Sequence, residues 1–223
     1  MNTLVLLLAS WVVATGEKPA PEIAYAASEF TNAVYRCSGE RLEVVATAPA
    51  NAAGVVSIRA KGPNAANLDE KLGYRSAEGR LDIVGNQPRA ALHATFQYLQ
   101  RELGVRWLWP GEDGAFYPKR DSYAFPEGLN LRYQPQFQIR GLHLCGSKRL
   151  EEFAFKEWMT RNMMNWQTRG VNPGEEKFGF PNCMGGHNLN LNKHDKLFAE
   201  HPEYFAEVKG ERTMKNICLC RDE

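Results

Sequence analysis

The sequence predicts an α/β fold: a small α+β domain in which two helices cover a mostly antiparallel sheet, followed by a strand, helix, strand unit. Three observations carry this reading. Two segments repeat apolar residues at intervals of three and four, shorter runs are valine-rich or alternate with period two, and Pro and Gly mark the joints between them.

Ile23 to Arg36 reads as the first helix, because Ile23, Ala26, Ala27, Phe30, Val34 and Cys37 fall on one stripe that Gly39 closes. Leu42 to Ala46 and Val55 to Ala60 are strand-like runs rich in valine, joined by a loop from Pro49 to Gly54. Tyr74 to Ser76 and Arg80 to Val84 form a hairpin around Glu78-Gly79. From Pro88 onward, Leu92, Phe96, Leu99 and Leu103 define the second helical stripe. Pro88 suits a first helical turn, where its missing N–H leaves nothing unpaired, and Gly104 supplies a left-handed terminator. Beyond it Val105, Trp107 and Trp109 alternate with Arg106 and Leu108, a short strand stopped by Pro110-Gly111. Each helix has one stripe to bury, so both are expected against one sheet.

Residues 1–118 form this domain. Residues 119–136 carry Pro126, Gly128 and Pro135 with no sustained period, the composition of a linker, and the break falls near Tyr133. Within 137–223, FQIRGLHLCG alternates as a strand, Leu150 to Asn162 has helical spacing, and Met164 to Thr168 is the next strand.

Lys plus Arg (27) nearly balance Asp plus Glu (26), and no long basic run is present, so bulk charge supports neither a nucleic-acid partner nor an anionic membrane. Five cysteines without a CxxC pair signal neither a disulfide framework nor a zinc ribbon. His143, Cys145, Cys218 and Cys220 have spacings that would suit a tetrahedral metal if two strands lay side by side, but nothing else in the sequence sets such a register. Buried small side chains are the expectation, with no metal and no cofactor.

The run LQRELGVRWLWPGEDGAFYP resembles the closing helix and strand of the small α/β domain that precedes the barrel in α-glucuronidases of glycoside hydrolase family 67, a domain also found in hexosaminidase-like enzymes and related barrel proteins of unassigned activity. The likeness extends through Q-I-R-G and W-M-x-R-N-x-M-N (Trp158 to Asn165), which is similar to the first strand, helix and second strand of a (β/α)8 barrel. His201-Pro202-Glu203-Tyr204-Phe205-Ala206 and Cys218-Leu219-Cys220 resemble the approach to a third strand. Eight strands need about 250 residues, so the resemblance implies an incomplete barrel at the front of a longer glycoside hydrolase, acting on uronide- or hexosaminide-containing polysaccharide. The alternative is a non-catalytic carbohydrate-binding or scaffold protein. Oligomeric state is not legible.

In the resembling family a first strand precedes the first helix, which implies a strand from Trp11 to Thr15. The same stretch ends an apolar run, Leu4 to Ala14, of signal-peptide length, with small residues around a cleavage point after Gly16 but no preceding Lys or Arg. Residues 1–16 therefore read as signal peptide or as first strand. The first reading places the protein outside the cell or in the periplasm. A membrane anchor is not expected, since the run is shorter than the about 20 residues a span requires.

Barrel enzymes place functional groups at the C-terminal ends of strands. That rule points to His143 and to the Gly185-Gly186-His187-Asn188 loop, where two glycines let the backbone approach a ligand and both His187 and Asn188 offer partners for sugar hydroxyls. Arg140 has the planar fork that pairs with a uronate carboxylate, or with a carboxylate of the chain itself. No catalytic pair is assigned, because the resemblance places the two carboxyl groups on later strands. The arginine and tryptophan signature that follows R-G in family 67 is replaced here by Leu142-His143-Leu144-Cys145.

Overall fold

The computed structural model describes residues 11–64, 68–142, 149–166, 173–180 and 195–217. The chain divides into two compact units, residues 1–183 and 184–223.

In the first unit the elements run β1 (Trp11–Ala14), α1 (Pro21–Ser38), β2 (Glu43–Val45), β3 (Gly54–Ala60), β4 (Leu72–Ala77), β5 (Arg80–Gly85), α2 (Pro88–Arg101), β6 (Arg106–Trp107), β7 (Ala115–Phe116), β8 (Asn130–Tyr133) and α3 (Arg149–Arg161). The main sheet has the order β2-β1-β3-β5-β4-β8. The α/β class holds, but the sheet is mixed rather than mostly antiparallel: β1 runs parallel to β2 and β3, and β3 runs parallel to β5, while β4 is antiparallel to β5 and β8. The reason is topological. α1 carries the chain back across the sheet between β1 and β2, and such a crossover returns the strand in its original direction.

The β4–β5 hairpin closes at Glu78-Gly79 with both residues at positive φ, 53° and 70°, which matches the twist of the two strands. β1 lies inside the sheet, not on its edge, so removal of residues 1–16 would strip β2 of its partner. Residues 119–136 also belong to the layer: Tyr123 and Phe125 pack edge-on against Trp11 at 5.4 and 4.9 Å, and β8 pairs with β4.

All six apolar residues of the α1 stripe are buried. In α2 every residue from Pro88 to Leu99 is buried, including Arg89, His93, Thr95 and Gln97. A helix hidden on all sides is a core helix. Its closest approach is to β5, where a Cβ on Gly85 would lie 2.2 Å from the Ala91 backbone nitrogen and 2.5 Å from the Ala90 carbonyl carbon. The strand after Gly104 is shorter than its alternation implies: β6 and β7 form a separate two-residue ladder, Trp107 is buried, and Trp109 is half exposed. The ladder stops at Trp107 and the chain bends from Trp109 through Gly111, so the alternation does not extend to Trp109.

The segments expected as the next two strands meet at one parallel bridge, Gly141 to Trp166, with α3 in the connection between them. The bridge is tight, since a Cβ on Gly141 would stand 2.3 Å from the Trp166 carbonyl oxygen. In the second unit α4 (Asp195–Glu200) precedes a hairpin of β9 (Phe205–Val208) and β10 (Glu211–Ile217). Among the described residues no helix is long and apolar enough to cross a membrane.

Gly85→Ala should lower the stability of the chain by about 1–3 kcal/mol, because the new methyl meets helix backbone that cannot swing aside. Thermal unfolding should fall by about 2–4 °C per kcal/mol. Gly62→Ala, whose Cβ would have ordinary contact with the Asn86 oxygen at 3.6 Å, is the matched control and should leave the midpoint close to wild type.

Candidate functional site

The most concentrated polar chemistry in the first unit surrounds Glu70, a carboxylate with its side chain fully buried. It stands in the loop before β4 and receives donors from three parts of the chain. From α2, Arg89 Nε donates to Oε1 at 2.7 Å and His93 Nδ1 lies 2.9 Å from Oε2. From the Q-I-R-G segment, Arg140 Nη2 donates to Oε2 at 2.5 Å. From the segment after α3, Asn165 Nδ2 donates to Oε1 at 3.2 Å.

Arg89 and His93 are four residues apart on one helix, so they present to the same side. An ionised carboxylate is acceptor only, so the His93 proton facing it sits on Nδ1. Burial by itself would raise the Glu70 pKa. The His93 ring and the guanidinium groups of Arg140 and Arg89 outweigh it and hold the carboxyl well below the usual carboxylate range.

The surrounding contacts lock the donors in turn. Arg89 Nη1 donates to the Gly179 carbonyl at 3.1 Å, and its backbone N–H donates to Asn64 Oδ1 at 3.2 Å. Asn64 in turn donates to Glu22 of α1. Arg140 spends its remaining nitrogens on the Met163 and Phe137 carbonyls, each at 2.9 Å. Asn165 reaches back to the Gln138 carbonyl at 2.8 Å, accepts from the Arg140 backbone at 2.9 Å, and donates its own N–H to the Arg140 carbonyl at 2.8 Å.

A second brace joins α3 to α1: Arg161 grips Glu29 through two nitrogens at 2.8 and 3.0 Å, both side chains buried. A third joins Lys156 of α3 to Glu175 at 2.8 Å. The whole arrangement ties the βα layer to the strand-helix-strand unit.

Arg140, read from the sequence as a partner for a sugar carboxylate or an internal one, is committed to Glu70 and to two backbone carbonyls. His143, His187 and Asn188 lie outside the described residues, as do Cys145, Cys218 and Cys220. Among the described residues no group of three or more His, Cys, Asp or Glu is placed to hold a metal ion. Sequence reasoning missed Glu70, Arg89 and His93. A signal was present: Arg89 and His93 fall on one face of a helix whose stripe is apolar at Leu92, Phe96 and Leu99, and inward-facing side chains of that type require a buried acceptor. The acceptor sits nineteen residues upstream of Arg89, where no local pattern identifies it. Chemically this cluster positions rather than reacts, because the Glu70 oxygens are already taken by four donors.

The architecture is a glycoside-hydrolase-like α/β fold. A family GH115 4-O-methyl-α-glucuronidase with specificity for decorated arabinogalactans superposes with a TM-score of 0.58 at 13% identity, over 92% of this chain and 35% of that one. A Streptomyces plicatus β-hexosaminidase matches at TM-score 0.45 and 12% identity, over 70% of this chain and 29% of its own. A GH138 enzyme targeting pectin rhamnogalacturonan II matches at 0.43 and 11%, over 85% and 28%. The likeness to the GH115 structure concerns the fold alone and is not particular to family 67. The chain spans about a third of the length of the solved structures it matches. The family described as Domain of unknown function (DUF4838) matches residues 109–223, and the chain belongs to that family. No curated protein matches.

Glu70→Gln should destabilise the chain by about 3–5 kcal/mol in urea unfolding at pH 7, because it leaves buried Arg89 and partly buried Arg140 without their counter-charge. The pH dependence follows from the lowered value. The wild-type contribution is complete above the unfolded carboxylate value of about 4.3 and is lost as pH falls from there through the folded value. Between pH 7 and 5 the difference between the two proteins should stay constant, and below about pH 4 it should narrow.

Proposed function

We propose that this chain is the N-terminal part of a glycoside hydrolase acting on uronide- or hexosaminide-containing polysaccharide. In this reading residues 1–118 form most of an accessory layer, 119–136 complete its sheet and lead out of it, and 137–223 begin a (β/α)8 barrel. The observation that carries it is the parallel bridge between Gly141 and Trp166 across α3, fastened to α2 by Glu70. That is how a barrel's first strand, helix and second strand would be held against a supporting layer. The likeness to the GH115 glucuronidase supports it by covering nearly the whole chain.

Arg140 then acts on substrate indirectly: it holds the first strand so that the strand's C-terminal end, where His143 stands, faces the barrel mouth. His143, His187 and Asn188 are the groups proposed to meet sugar hydroxyls. The two carboxyl groups of hydrolysis would come from later strands of a longer polypeptide, one as acid and one as base or nucleophile. Release of the protein to the periplasm or the exterior fits the apolar run from Leu4, but cleavage after Gly16 would remove β1, so the exported form we propose keeps Trp11.

The test is the natural protein from its own source, captured with an antibody to residues 88–118. The expected product is well above 25.2 kDa and releases sugar from uronide- or hexosaminide-capped oligosaccharides. A native product at 25.2 kDa that binds such oligosaccharides without cleaving them would replace the hydrolase reading with the binding one.

A further inference from the structure

The main sheet has two unlike faces. Val56, Ile58, Leu72, Tyr74, Leu81 and Ile83 are buried in the core, and the alternate residues form the opposite face. On that face β3, β5, β4 and β8 line an open groove of about 840 Å3. The register across the groove is explicit: Arg59 of β3 lies opposite Val84 of β5, Val84 opposite Gly73 of β4, and Gly73 opposite Arg132 of β8. Two exposed arginines therefore face each other across a floor of one valine and one glycine. They are three strand spacings apart, about 14 Å at ~4.8 Å each.

Charge in the groove is segregated. The whole chain carries a net +1, yet Arg59, Lys61, Lys71, Arg75 and Arg132 line the groove and Asp82 is the one carboxylate among its lining residues. Asp82 is already paired with Arg75 at 3.4 Å and with Arg80 at 3.1 Å. Arg59, Lys61 and Arg132 have no carboxylate partner among the described residues. At the β8 rim Asn130, two residues before Arg132 and so on the same face, offers an exposed amide able both to donate and to accept.

We propose that this groove binds a linear acidic polysaccharide, with uronate carboxylates received by Arg59 and Arg132 and sugar hydroxyls met by Asn130. The guanidinium fork matches a carboxylate in two parallel hydrogen bonds, and the shallow floor admits an extended chain. Single-stranded nucleic acid fits less well, because it is held by successive aromatic platforms and no aromatic side chain among the groove's lining residues shares the face of Arg59 and Arg132. The proposal rests on the carbohydrate reading above and adds to it a surface built from residues that the strand-end site does not use.

The test is titration calorimetry on the 223-residue chain with three probes: oligogalacturonate, the same oligomer methyl-esterified, and single-stranded DNA of equal charge. Oligogalacturonate should bind, and both esterification and the Arg59→Ser/Arg132→Ser double variant should weaken binding about tenfold or more. The double variant changes exposed side chains only and should keep the wild-type melting point, which is recorded alongside. Unchanged binding in the variant, absence of oligogalacturonate binding, or DNA binding of equal strength would each overturn the proposal. Cleavage by the longer natural protein is scored separately. Retained cleavage with no groove binding defeats the groove alone, whereas groove binding with no cleavage defeats the hydrolase reading alone.

Discussion

One buried carboxylate holds the first unit together. Placing the Glu70 charge in the interior is strongly unfavourable without compensation, and the chain compensates with Arg89, His93, Arg140 and Asn165, drawn from a helix and from two strand segments distant in sequence. None of the four is local to Glu70, so the buried charge is compensated only when all three parts are assembled. The burial of α2 on every side follows from the same constraint: a helix carrying Arg89 and His93 inward needs its acceptor enclosed with it. The tight passage of β5 at Gly85 and the close bridge at Gly141 set the spacing within which those donors meet.

This has a consequence for function. A carboxylate saturated by two guanidinium groups is a poor general acid, which needs a raised pKa, and a guanidinium bound to it is unavailable to a sugar. The cluster is a clasp, and the basic groove on the far face of the sheet is built from other residues. The division of labour is coherent: charge neutralised inside fastens the two parts, while Arg59 on β3 and Arg132 on β8 have no carboxylate partner among the described residues.

Much of the fold was legible in the sequence because it rests on local period. The α1 stripe from Ile23 to Cys37, the hairpin at Glu78-Gly79 and the helix from Pro88 depend on neighbours within a few residues, and each is found where the spacing places it. The direction of the strands was not legible. β1 and β2 alternate in the same way whether they pair parallel or antiparallel, and only the path of α1 decides. The exposure of Trp109 was hidden for a related reason, since the chain leaves the strand after Trp107 and bends at Trp109, where the alternation reads as continuous. Arg140 was recognisable as a paired arginine, but its partner was not, because the contact with Glu70 spans seventy residues and leaves no trace in either segment.

The central claim is that Glu70 makes α2 and the Arg140–Asn165 segment one cooperative unit. Native-state hydrogen exchange on the chain tests it directly through the amides of Asn165 and Trp166, which donate to the Arg140 carbonyl, compared with the interior amides of α2. The account predicts that both sets open together, with free energies within about 1 kcal/mol of each other. Fast exchange at 165–166 while α2 stays protected would show that the segment opens independently and would contradict the clasp.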